Sequence, residues 1–161
     1  MSKEITSIVL SVKPIHCRNI LSGKKTIELR KRKPAVDPPF RVYMYMTGYG
    51  VVAEYICDEV YEYEAEFYDN DIYYQDIRQV NYIDDDISYT IVATNEAENP
   101  NDYEFCQRTC LSFDEIKEYV GVELKRFFGW NISKLQLYTA PKRLSDFGIG
   151  RAPQSYQYIK T

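Results

Sequence analysis

Ile5 to Val12, ITSIVLSV, alternates apolar with small polar residues and is rich in β-branched types, which predicts a first strand. Pro14 suits the first turn of a helix, where its missing N–H costs nothing, and Ile15, Ile20 and Leu21 supply an apolar face. Gly23 is placed to stop that helix with a left-handed cap after about two turns. Thr26 to Arg30, TIELR, alternates again. Thr26, Glu28 and Arg30 fall on one face of that strand and Ile27 and Leu29 on the other. Ile27 and Leu29 therefore predict a core side, and Glu28 and Arg30 a side turned away from it.

Pro34 to Pro39 reads as an extended connection, and Phe40 to Met46, FRVYMYM, as a third strand. Gly48-Tyr49-Gly50 makes a turn, and Val51 to Val60 a fourth strand, hairpin-paired with the third. Tyr61 to Tyr103 is dominated by acidic turns around one strand candidate, Tyr89 to Thr94; the segment reads as an insertion, partly helical and partly hairpin. Ser112-Phe113-Asp114-Glu115 is a capping box that opens a helix through Phe113, Ile116, Tyr119 and Val120 to Gly121. Trp130 to Tyr138 alternates as a late strand, Leu144 to Phe147 forms a turn or short helix, and RAPQSYQYIK predicts a closing strand. The sum is an α+β chain: a small mixed β-barrel with short covering helices.

Composition changes this picture in two places. Tyrosine is abundant, 16 of 161 residues, and its flat face with a polar tip suits half-wet surfaces and stacking platforms as well as strands. The net charge of −4 conceals a segregation: Glu54 to Glu104 holds 16 acids and one base, Arg78, so that segment carries −15 and the remainder +11. The length fits one domain. The N-terminus lacks the pattern of a signal peptide, and no apolar run approaches a membrane span. The four cysteines then read as reduced thiols, and a cytoplasmic location without membrane association is expected.

The basic character concentrates between Leu10 and Lys33, where eight lysines and arginines surround a single acid, Glu28. Beside a cation such as Lys25, Glu28 stays ionised and can accept a hydrogen bond from an exocyclic amine; the competing reading is a structural ion pair among Glu28, Arg30 and a lysine. Ser11 and Lys13 end the first strand and are placed to reach a phosphate or base, or simply to face water. Arg30 to Lys33 can grip a backbone phosphate or serve as a solvated turn. Tyr43 and Tyr45 share a strand face and suit base stacking or, as the commoner outcome, core packing. Gln154 and Ser155 can read a base edge or cap the barrel. His16-Cys17 and Cys106-x3-Cys110 lack the spacing of a structural zinc site, so no metal or other cofactor is expected. His16, the only histidine, adjoins Cys17 and cannot face it on a helix, which argues against a thiol nucleophile.

Leu10-Ser11-Val12-Lys13-Pro14, followed by Gly23-Lys24-Lys25-Thr26-Ile27-Glu28-Leu29-Arg30, resembles the ASCH domain of the PUA-like superfamily, and Pro153 to Ile159, PQSYQYI, resembles the closing signature of its phage and bacterial branch. The resemblance spans both ends of the chain. It implies a single ASCH/PUA-like domain over 1–161, a closed β-barrel of five or six strands, and a basic cleft that binds RNA or a modified nucleotide, with the acidic insertion at about 61–105. It also implies an alternative, since some members are ribonuclease-like and others remove the acetyl group from acetylated cytidine. In the second group a lysine and a threonine of the motif strand act with a later glutamate. Lys25 matches the lysine, but Glu28 stands where the threonine belongs, and no motif marks the later glutamate. Lys25 and Glu28 are thus the catalytic candidates if the chain is an enzyme. The ligand-binding candidates are Ser11, Lys13, Lys25, Thr26, Glu28, Arg30, Tyr45, Gln154 and Ser155. The acidic segment is a solvated appendage, a nucleic-acid mimic over the cleft, or a surface for a basic protein partner.

Overall fold

The computed structural model describes residues 5–67 and 75–159. Residues 68–74 of the acidic segment lie outside the described residues. The chain divides into two compact units, one of Met1–Thr26, Pro34–Glu59 and Asn131–Thr161, the other of Ile27–Lys33 and Val60–Trp130.

In the first unit, strand β1 (Ser7–Val12) runs parallel to β3 (Phe40–Met46) and antiparallel to the short β8 (Tyr156–Tyr158). Strand β4 (Gly50–Phe67) follows β3 as a hairpin and pairs with it from Phe40↔Cys57 to Met46↔Gly50. Strand β7 (Glu123–Lys142) lies beside β4, giving the order β7-β4-β3-β1-β8. Ile8, Val9 and Leu10 are all fully buried, so β1 is covered on both faces, as befits a strand with a parallel neighbour. Helix α1 (Pro14–Leu21) starts at Pro14, buries Cys17 and Ile20 one turn apart, and ends before Gly23 at φ 80°. It packs on β3, whose Val42, Met44 and Met46 are buried.

The second unit contains β2 (Ile27–Arg30), the remainder of β4, the hairpin of β5 (Asp76–Ile83) and β6 (Asp86–Thr94), helices α2 (Glu104–Thr109) and α3 (Phe113–Val120), and the start of β7. Its strand order is β2-β7-β4-β5-β6. Ile27, Leu29, Tyr63, Phe105, Ile116 and Phe127 belong to one buried cluster. Tyr63 stands at its centre, stacked on Phe127 at 5.3 Å and tilted against Phe105 at 4.7 Å between ring centroids. The capping box of α3 forms: Ser112 Oγ accepts from the Glu115 N–H at 3.0 Å, and Glu115 Oε1 accepts from the Ser112 N–H at 3.1 Å.

The α+β class holds, with three corrections. The described residues form eight strands, not five or six, and the pairing in neither unit closes into a ring among those residues. β8 is only three residues long at one end, and β6 pairs with β5 alone at another, so each unit has an open edge. The fourth strand runs on to Phe67, because the apolar set Tyr63, Ala65 and Phe67 continues its alternation against Glu62, Glu64 and Glu66. The late strand likewise begins at Glu123 and ends at Lys142.

Cys17, Cys57 and Cys106 are buried and Cys110 is half-buried; all are free thiols. Burial pushes Cys57 up to about 12, with the Asp58 charge adding to the rise, and pushes Cys106 up to about 11. An alkylating reagent at mildly alkaline pH should therefore modify Cys110 first, and Cys57 and Cys106 only on unfolding, as mass mapping of the adducts will show. The sign for stability follows: the contribution of Cys57 is full below the unfolded thiol pKa of about 8.5 and falls as pH rises from there toward 12. No helix among the described residues is long and apolar enough to cross a membrane.

Candidate functional site

β2 carries the one acid of the basic block. Ile27 and Leu29 enter the core of the second unit, so Glu28 and Arg30 share the opposite face. That face is not open, however: Glu28 is only 6% exposed. Arg30 Nη2 lies 3.8 Å from Glu28 Oε1, an ion pair too long to be a hydrogen bond. Glu28 Oε2 is buried and accepts no hydrogen bond from the described residues. A buried carboxylate needs close ion pairing and filled lone pairs to offset its desolvation, and this one has neither in full.

Helix α3 brings Tyr119 to the same place. Its hydroxyl donates to the Leu29 carbonyl at 3.3 Å, and Lys31 Nζ stands 5.1 Å from its ring centroid. Burial raises the Tyr119 phenol above its usual range; the Arg30 charge opposes the rise and the Glu28 charge adds to it, so the ring feels both members of the ion pair. The result is a carboxylate, a guanidinium, an ammonium and an aromatic ring gathered around one short strand. Lys31, Arg32 and Lys33 continue from it as an exposed turn. Tyr119 is the member that sequence reasoning missed. Its spacing after Ile116 placed it on the apolar face of a helix, and nothing local ties it to β2.

The other candidates lie in the first unit. Ser11 donates its hydroxyl proton to the Pro153 carbonyl at 2.6 Å and its backbone N–H to the Ser155 carbonyl at 2.9 Å. The structure thus brings Ser11 together with the Pro153–Ser155 segment, whose Gln154 and Ser155 side chains are exposed. Tyr45 is the parallel register partner of Ser11. Tyr43 and Tyr45 are half-buried on the face opposite Val42 and Met44, and Tyr43 packs on Phe147 at 4.6 Å, so neither tyrosine joins the buried set that the commoner outcome assigned them. Lys13 is exposed at the start of α1.

Lys25 is the surprise of this unit, at 2% exposure, while its neighbour Lys24 is exposed. Its backbone N–H donates to the Asn19 carbonyl at 2.9 Å, which holds the residue against the end of α1. Thr26 is half-buried, and its carbonyl accepts from the Ile132 N–H at 3.0 Å. Lys25 belongs to the first unit and Glu28 to the second. No group of three or more metal-ligating side chains gathers among the described residues.

No protein-family profile and no curated protein matches the chain. Solved structures do. The ASCH protein of Zymomonas mobilis superposes with a TM-score of 0.63 at 18% identity, over 96% of this chain and 87% of that one. A serine-to-alanine mutant protein from the same organism gives 0.60 at 17%, over 96% and 88%. A tyrosine-to-phenylalanine mutant protein gives 0.61 at 19%, over 96% and 90%. The overlap runs through the middle of the chain as well as both ends, and the fold of this protein is that of the ASCH domain.

Proposed function

We propose that this chain binds RNA or a modified nucleotide, and that Glu28 accepts a hydrogen bond from the exocyclic amine of a base. The observation that carries this reading is the buried Glu28 Oε2 without a hydrogen-bond donor, held beside Arg30, Lys31 and the Tyr119 ring. A purely structural ion pair would gain from a shorter contact and a filled second oxygen. A ligand acceptor must keep a lone pair open and tolerates the desolvation cost until the donor arrives. Arg30 to Lys33 supplies phosphate contacts, and Tyr119 offers a flat surface from α3 beside that strand. In the first unit, Ser11, Lys13, Lys25, Thr26, Tyr45, Gln154 and Ser155 are assigned to further contacts with the same class of ligand. Buried Lys25 acts as a fixed charge and exposed Lys13 as a phosphate contact.

Glu28→Gln tests the assignment. It removes a charge and leaves an amide of the same shape; because the Arg30 guanidinium loses its ion-pair partner, some loss of thermal stability is expected, and binding is compared between folded proteins. Preference for amine-bearing over amine-lacking nucleobases should fall by about tenfold, in line with the 1–3 kcal/mol of a base-edge contact, in equilibrium binding to a panel of short RNAs and nucleosides. Lys25→Met should weaken all members of the panel, and Lys13→Met should flatten the salt dependence by about one unit of slope. Wild-type binding of the whole panel by folded Glu28→Gln and Lys25→Met would sink the reading. Consumption of RNA or acetylated cytidine that disappears in those two variants would assign Lys25 and Glu28 the hydrolytic role instead.

A further inference from the structure

The second unit has a surface that nucleotide binding does not use. β6 pairs with β5 alone among the described residues, so its outer edge carries backbone donors and acceptors with no strand beside them. Protein edges are usually guarded by lysine, proline or a bulge in the edge strand. β6, DISYTIVAT, has no lysine and no proline, and its bulge lies near its end, at Val92, which the register skips between Ile91 and Ala93, so the stretch from Asp86 to Ile91 pairs without interruption. The register Tyr82↔Ile87, Val80↔Tyr89 and Arg78↔Ile91 puts Tyr82, Ile87, Tyr89 and Ile91 on one face of the hairpin. Each of the four is more than half exposed, from 51% for Tyr89 and Ile91 to 59% for Tyr82. Ala93 and Thr94 beyond the bulge are buried, so the open edge runs from Asp86 to Ile91.

We propose that this edge takes up an extended, basic segment of another protein by strand addition, with alternate apolar side chains of the incoming segment lying beside Ile87, Tyr89 and Ile91. The backbone edge supplies the hydrogen bonds and the apolar face supplies the side-chain contacts. Charge selects the occupant. Asp84, Asp85 and Asp86 are exposed at the tip of the hairpin, whereas Glu62 and Glu64 are already engaged by Arg126 and Arg78. Those aspartates lie within the segment that holds 16 acids and one base. Such a field repels nucleic acid. It also disfavours a second copy of this chain, whose β6 would bring the same acidic stretch alongside, and it attracts a basic strand.

The test uses the full chain and two synthetic decapeptides, one alternating lysine with valine and the other glutamate with valine. The lysine peptide should bind by fluorescence anisotropy and slow hydrogen exchange of the β6 amides, and the glutamate peptide should bind at least about tenfold more weakly. Tyr89→Lys places a charge in the middle of the edge and should abolish protection of β6 while RNA binding is unchanged. Replacing Asp84, Asp85 and Asp86 by asparagine should weaken the lysine peptide by about tenfold and reduce its salt dependence. Binding without β6 protection, or equal binding by wild type and Tyr89→Lys, overturns the proposal. So does a concentration-dependent dimer in sedimentation that Tyr89→Lys dissolves, which would assign the edge to a second copy.

Discussion

Phe127→Ala should destabilise the protein by about 3–5 kcal/mol, a large part of the margin of any domain of this size. Phe127 is 0% exposed and lies in the buried cluster of the second unit. Its ring stacks on Tyr63 at 5.3 Å and sits 6.4 Å from Phe105, which itself meets Tyr63 at 4.7 Å. Removing the ring deletes the transfer free energy of a whole aromatic side chain and two aromatic contacts together. The space cannot be refilled cheaply, because the neighbouring Gly129 backbone already touches Tyr63: a Cβ there would meet Tyr63 Cε2 at 2.8 Å. Urea unfolding followed by tyrosine fluorescence and by far-ultraviolet dichroism measures the loss. A change below about 1 kcal/mol would mean that the cluster collapses around the gap, contrary to the rigid aromatic packing described.

Gly50→Ala should cost about 2–4 kcal/mol, from backbone strain and overpacking combined. Gly50 has φ 131°, a region that a side chain rarely adopts. A Cβ on Gly50 would lie 2.9 Å from the Lys142 carbonyl oxygen and 3.1 Å from Pro141 Cβ. The first obstacle is backbone in β7, which can yield only by moving the strand. Gly48, two residues earlier, provides the control. It has φ 84° but open space around it, so Gly48→Asn should cost under about 1 kcal/mol, since asparagine tolerates left-handed backbone. Equal losses at the two positions in thermal melts would refute the steric account.

Much of this fold is legible because local chemistry and long-range packing agree. Pro14 and Gly23 bound α1, Ser112 and Glu115 open α3, and the alternation of FRVYMYM is kept residue by residue in β3. Legibility fails where charge masks alternation. Glu62, Glu64 and Glu66 look like the mark of an exposed insertion, yet each falls opposite a buried Tyr63, Ala65 or Phe67 in a strand with one wet face. β5 is hidden for a related reason: its polar residues Arg78, Gln79 and Asn81 are tied by cross-strand pairs that no local pattern announces. The site divides the same way. Strand parity puts Glu28 with Arg30 and away from Ile27, as the structure does. Parity says nothing about what covers the second face, so the burial of Glu28 and the arrival of Tyr119 from α3 stay invisible until tertiary contacts are known. The burial of Lys25 is equally silent, because in sequence Lys24 and Lys25 are indistinguishable.

The tie between Ser11 and the Pro153–Ser155 segment imposes an order on synthesis. A ribosome delivers β1 before β8 and every other strand between them, so the hydrogen bonds from Ser11 to the Pro153 and Ser155 carbonyls must wait for 142 or more further residues to emerge. Val60–Trp130, by contrast, arrives as one uninterrupted stretch and holds most of the buried cluster of its own unit. Translation thus separates in time two bodies of similar size, and the unit whose first strand appears first is the one that can be completed only afterwards.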